Sequence, residues 1–171
     1  MARARTGYDR AMPSPIRPTD DDARSLARAL IAEARFAALG VTDPATGMPL
    51  VSRIACVPGP DGLPLALVSD LSAHTAALKA DPACCLLLGE PGPRGDPLTH
   101  PRLSLQGRAR FVRHGDADHP GLAAHYLARQ PKAKLYIGFG DFALMRIDPT
   151  GAHLNGGFGK AFVLAPDDLR A

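Results

Sequence analysis

Residues 102–112 alternate polar and apolar side chains without a break, and no other stretch restricts the fold so tightly. Arg102, Ser104, Gln106, Arg108 and Arg110 share one parity, and Leu103, Leu105, Gly107, Ala109 and Phe111 the other. A period of two places these sets on opposite sides of a strand, one wet and one packed. One-sided strands of this kind belong to antiparallel sheets. The flanking sequence supplies partners. Phe36–Val41, Pro49–Val57, Leu63–Ser69 and Ala83–Gly89 are short apolar runs. The first three are separated by Asp43-Pro44-Ala45-Thr46-Gly47 and Pro58-Gly59-Pro60-Asp61-Gly62, both turn-forming clusters. Asp141–Asp148 and Ala152–Leu164 predict two or three further strands. Helices are expected over Asp20–Glu33 with Thr19 as its cap, over Ser72–Ala80 and over Asp116–Arg129, with a short one over Pro131–Phe139. Glu90–Pro101, rich in proline, reads as a long loop. Helices do not follow every strand, so a doubly wound parallel sheet is disfavoured. The pattern predicts a mainly β fold with peripheral helices, a small antiparallel barrel of six or seven strands.

Residues 1–18, rich in Arg and Pro, read as a flexible leader, and residues 19–171 as a single domain. The net charge of +3 is spread along the chain, which holds six Phe, three Tyr and no Trp. A nucleic-acid binder needs a basic stripe, commonly with stacking aromatics, so no nucleic-acid partner is expected. No apolar run is long enough for a membrane span. Arg3, Arg5 and Arg10 are not followed by an apolar stretch, so no secretory signal is read. With an odd count of three cysteines, that predicts reduced thiols and a cytoplasmic location. Cys84 and Cys85 would face opposite ways on a strand, and all three thiols are expected in the core.

Chemistry gathers in Leu65–Leu78. An apolar strand runs into Ser69, Asp70, Ser72, His74 and Thr75 and then into a helix. Ser72 is the expected cap, its oxygen accepting a free backbone N–H. The positive end of the helix dipole, with hydroxyls and an imidazole around it, suits a small anion such as a phosphate. An ordinary capped helix explains the same residues. Arg53 is the second candidate, because all its neighbours in Val51–Val57 except Ser52 are apolar. A guanidinium buried there needs an anionic partner, and pairing of the two strands would bring it to Ser69–Thr75. A side chain snorkelling from a strand edge is the alternative. Arg102 could form another wall. His114, His119 and His125 do not stack on one helix face, so no metal site is expected, and each reads as a surface or capping residue. Asn155-Gly156-Gly157-Phe158-Gly159 permits close approach of a ring or backbone, or else a tight turn.

Together Ser52-Arg53-Ile54-Ala55, Leu67-Val68-Ser69-Asp70-Leu71-Ser72-Ala73-His74-Thr75, Arg102–Ala109 and Gly156-Gly157-Phe158-Gly159 resemble the pyridoxamine 5′-phosphate oxidase-like, FMN-binding split-barrel proteins. The likeness runs from about Asp20 to Leu164, and the His-Thr pair and Gly-Gly-Phe-Gly segment look most like the haem-utilisation branch. It implies a Greek-key split β-barrel and a homodimer with FMN at the interface. It further implies that Arg53, His74 and Thr75 meet the phosphate and that Ser69 lines the ribityl–phosphate side. By the same likeness, the backbone of Ile54 and Ala55 passes the isoalloxazine ring and Arg102 reaches its polar edge. Asn155 and Gly157 would come from the partner subunit. The activity implied is a flavin-dependent oxidoreductase on a small molecule, with a haem- or flavin-binding carrier as the alternative. No side chain is singled out as catalytic acid or base.

Overall fold

The structure is a computed structural model that describes residues 16–170. The leader expected over 1–18 therefore lies largely outside the described residues, except that Ile16–Arg17 forms a two-residue strand, β1. In chain order follow α1 (Asp21–Ala32), β2 (Phe36–Thr42), β3 (Pro49–Pro58), β4 (Pro64–Ser69), α2 (Ala73–Ala80), β5 (Ala83–Leu88), β6 (Arg102–Val112), α3 (His119–Arg129), β7 (Phe142–Asn155) and β8 (Ala161–Leu164). Short 3₁₀ turns occupy Pro97–Thr99, Pro131–Leu135 and Pro166–Leu169.

The strands lie in the order β1-β8-β7-β4-β3-β2-β5-β6, and β6 pairs again with β7. Six strands thus close a barrel, with β8 and β1 added outside the ring. β2, β3 and β4 form a meander and β5 returns to lie beside β2, which is a Greek key. The expected antiparallel barrel is the observed one.

Two of the expected strands at the C-terminal end are one. Asp148-Pro149-Thr150-Gly151 has the composition of a turn, yet β7 runs through it. Gln106 pairs with Gly151 and Gly107 with Pro149, leaving Thr150 as an extra residue opposite none. Such a bulge tolerates a proline, which has no N–H to give the ladder. Gly107 makes the close passage possible, since a Cβ there would lie 2.6 Å from the Asp148 carbonyl oxygen.

Two neighbouring rows across the barrel show how the pleat divides the sequence. Leu39, Leu86, Leu105, Ala152 and Leu164 are register partners in turn, and all are buried. One residue along, Arg53, Ala38, Leu87, Ser104, His153 and Val163 are partners too, and none is buried. Helix α1 sends Ala23, Ala27 and Ile31, spaced by four, into the inner core. Its cap is Asp20, whose carboxylate accepts the Ala23 N–H at 2.8 Å; Thr19, the expected cap, donates instead to the Val163 carbonyl.

A second apolar cluster lies outside the barrel. Val57, Leu65, Leu67, Val112 and Leu144 on the strands meet Leu122 and Tyr126 of α3 and Ala133 and Ile137 beyond it. His119, Leu122 and Tyr126, at spacings of three and four, are the buried face of α3. His119 is therefore a packed residue and not the surface or capping group expected. Its ring lies 4.3 Å from that of His114, whose Nε2 contacts the Ile137 carbonyl at 3.1 Å. Of the thiols only Cys56 is in the core; Cys84 and Cys85, on opposite faces of β5, are half-buried, and all three are free. No described helix is long and apolar enough to cross a membrane.

Candidate functional site

The barrel splits between β3 and β4. Their ladder holds Pro58↔Pro64, Val57↔Leu65 and Cys56↔Ala66, then ends. Beyond it β4 pairs with β7 and β3 with β2. Helix α2 begins where the strands part. Its inward residues Thr75, Ala77 and Leu78 are buried.

The start of α2 is open. Ser72 is the cap by position, but its hydroxyl accepts no helix N–H, contrary to the expectation. The N–H groups of Ala73 and His74 have no protein acceptor among the described residues. In the same first turn the Thr75 hydroxyl is wholly buried and has no hydrogen-bond partner. An orphaned buried hydroxyl costs about 1–3 kcal/mol, so its retention asks for a reason. A phosphate ester fits this setting. It accepts from bare amides and a hydroxyl, and the helix dipole favours its charge. Burial holds the His74 imidazole below its ordinary value, so that ring stands neutral at pH 7.

The turn leading into α2 is braced. Ser69 Oγ donates to Asp141 Oδ2 at 2.6 Å and accepts the Leu71 N–H, and the Asp70 N–H reaches the Asp141 carbonyl at 2.7 Å. Asp70 receives both Arg113 Nη groups, at 2.8 and 3.0 Å, and Lys79 Nζ at 2.9 Å. The Arg113 guanidinium and then the Lys79 ammonium pull its carboxyl down to about 2. Asp141, Arg113 and Lys79 were not among the expected site residues, and only the adjacency of Asp70 to Ser69 pointed at them.

Arg53 corrects the sequence reading. It is exposed, not buried, with its guanidinium 5.3 Å from the centre of the Phe36 ring. Among the described residues no hydrogen bond or ion pair joins it to Ser69, His74 or Thr75. Arg53 instead borders a cavity of about 480 Å³ with Phe36, Ala38 and Leu87, closed on one side by Leu30 and Ala34. The reason is strand parity: Ile54 and Cys56 point into the core, so Arg53 and Ala55 point out. Continuing the broken β3–β4 register would set Arg53 opposite Ser69, and both face outward across the split.

Arg102 and Asn155 are register partners at the far end of β7 from Ser69, whose own partner is Phe142. Arg102 donates to the Leu98 and His100 carbonyls. Asn155 Oδ1 accepts the Gly157 N–H at 3.0 Å, and Gly157, at φ +108°, passes so close to the Thr99 carbonyl that a Cβ would lie 3.1 Å from it. The tight turn weighed from sequence is therefore present, and it projects Phe158 into solvent at 98% exposure. Within one chain the structure thus gives two groups: Ser69, His74 and Thr75 at the split, and Arg102, Asn155 and Gly157 at the other end. Arg53 lies between them on the outer wall.

Residues 24–156 match the family described as Pyridoxamine 5′-phosphate oxidase. The chain is 36% identical over 118 residues to the Non-canonical heme oxygenase HOZ, chloroplastic, of Arabidopsis thaliana. That match covers 68% of this chain but only 35% of the relative, so the chain spans about a third of that protein's length. Among solved structures, the protein Atu2129 of Agrobacterium tumefaciens, of unknown function, is 35% identical with a TM-score of 0.77 over 88% of this chain and 60% of that one. A heme binding protein from Mycobacterium smegmatis is 26% identical with a TM-score of 0.77, covering 90% of this chain and 61% of that one.

Proposed function

The chain belongs to the pyridoxamine 5′-phosphate oxidase family, and on that premise we propose that it is a homodimeric FMN-binding flavoprotein, an oxidoreductase acting on a small molecule. One observation supports this above the others: the open start of α2 with the unpartnered Thr75 hydroxyl beneath it. Thr75, His74 and the amides of Ala73 and His74 would hold the phosphate, with Ser69 beside it. Arg53 would close over it from the outer wall, and the backbone of Ile54 and Ala55 would flank the ring. A bound flavin supplies the electron exchange that none of these side chains can perform. The chain's own contribution is to hold the phosphate, orient the ring and keep water from it.

The uncovered outer wall supports the dimer. Val51, Leu87 and Val163 are 66%, 45% and 46% exposed on strands whose inner faces are core. Apolar side chains gathered on one sheet face suit a second copy of the same face. On that arrangement Arg102, Asn155 and Gly157 of one protomer would complete the split of the other, which reconciles their distance from Ser69 within a single chain. The three free thiols fit a reducing compartment, the cytoplasm.

The test is absorbance of the purified protein between roughly 350 and 500 nm, followed by titration with FMN. A flavin spectrum, or its appearance on FMN addition, is expected; a colourless protein that ignores FMN overturns the reading. Thr75→Val should weaken FMN about tenfold while leaving the unbound protein as stable or up to about 1 kcal/mol more stable, since the lost hydroxyl is buried without a protein partner.

The heme binding protein among the similar structures favours a second reading, a haem-binding carrier. Titration with haem followed by assay for ring opening separates the two. Binding without product supports the carrier, and product refutes it.

A further inference from the structure

Helix α2 carries the exposed Lys79 one turn after the buried Thr75. The lysine does not extend past the C-terminal end of its helix. Its ammonium is drawn back to Asp70, two residues before the cap, at 2.9 Å. Arg113, from the end of β6, reaches the same carboxylate through both Nη groups. Two cations meet one carboxylate at Asp70, and the Asp141 carboxylate held by Ser69 balances the second, in the turn that leads to the open amides of Ala73 and His74. The neutral His74 adds no charge of its own there. The partners of Asp70 are only partly exposed, Lys79 at 45% and Arg113 at 37% of their side chains, so solvent screens the cluster incompletely.

The geometry points to Asp70 as a positioning residue that holds the Lys79 ammonium and Arg113 guanidinium where they add to the affinity for a phosphate ester at the start of α2. This rests on the flavin reading above and deepens it. The role differs from simple charge attraction in sign. Removing the Asp70 charge makes the cluster more positive, so electrostatics alone would tighten an anion. Loss of positioning would release both cations into solvent and weaken it.

The experiment measures dissociation constants of the full chain for FMN and for riboflavin, which lacks the phosphate. The variants are Asp70→Asn and Lys79→Met, and the ratio of the two constants is the readout. Loss of fold or of ring contacts moves both ligands together and leaves the ratio unchanged. We expect the native protein to prefer FMN, and each variant to lower that preference about tenfold, the worth of one charged contact. The preference should also fall with added salt in the native protein and less so in Lys79→Met. A native preference that Asp70→Asn leaves unchanged or increases overturns the positioning role while sparing the flavin site. A native protein that binds both flavins equally overturns the phosphate reading itself, and this inference with it. Should Asp70→Asn fail to fold, Lys79→Met still decides whether the held ammonium adds to the FMN preference, and an unchanged ratio overturns the inference.

Discussion

The outer wall of the barrel has two halves with the same strand chemistry and opposite fates. Over β4 and β7, the outward residues Leu65, Leu67 and Leu144 are sealed by α3 and the turn after it. Over β2, β3 and β5, the outward residues Phe36, Ala38, Val51, Ala55 and Leu87 are not sealed, with Leu30 of α1 at one edge, and none is buried. Apolar area removed from water contributes roughly 25 cal/mol per Å² wherever it is covered. The chain spends that contribution on itself in one half and leaves it for another surface in the other. The sealed half is thus a stability element, and the open half is where assembly and ligand binding can be linked.

The largest effect expected on this contrast is in the sealed half. Tyr126 is wholly buried there, so Tyr126→Ala should lower unfolding free energy by about 3–5 kcal/mol in urea denaturation. Tyr126→Phe is its control. The phenol oxygen is buried without a partner and burial pushes its pKa up, so removing it should be neutral or stabilising by up to about 1 kcal/mol. A large loss from Tyr126→Phe would mean a hidden partner for that hydroxyl.

The open half should respond in the reverse manner. Leu87→Glu puts a carboxylate on an exposed strand position, and the isolated chain should tolerate it within about 0.5 kcal/mol. Each dimer would bury two such charges, raising the subunit dissociation constant roughly a hundredfold by sedimentation equilibrium. An unchanged association state would break the comparison, because the open wall would then be open in solution too.

The smallest effect is on pH dependence, and it belongs to the sealed half again. Burial, followed by the adjoining His114 ring, holds the His119 imidazole below its ordinary value, with Asp116 acting the other way. A histidine lowered on folding binds fewer protons folded than unfolded. The stability it contributes is whole above about pH 6.5 and is lost as pH falls through the lowered value. The urea midpoint should therefore drop from about pH 7 to about pH 5, and His119→Gln should flatten that part of the drop.

How much of this was legible in the sequence follows the same division. β6 was read to its boundaries, because a polar row and an apolar row alternate over eleven residues. β3 misled for a physical reason. Val51-Ser52-Arg53-Ile54-Ala55-Cys56 is apolar on both faces, and only one of those faces is core. The other is a surface without cover, so Arg53 among aliphatic neighbours was taken as buried when it stands exposed. β7 was divided at Pro149 because a bulge and a turn use the same residues, and only the long-range pairing with β6 tells them apart. The start of α2 was read as an anion site from its residue types, and the structure shows there an uncapped helix start with an unpartnered Thr75 hydroxyl. The Asp70 brace was not legible, since Arg113 lies 43 positions away.

Strand β7 also sets an order of events when the chain is made. It pairs with β4 along its first third, with β6 along nearly all of it and with β8 at its end, and Ser69 waits 73 residues for Phe142. Until residues 142–155 leave the ribosome, β4 and β6 stand as two raw sheet margins on a nascent chain. Such margins pair readily with other polypeptides. The barrel snaps shut late and from a single segment, so truncations or pauses upstream of Phe142 would yield sticky intermediates, and chaperone demand should end abruptly once Asn155 is exposed.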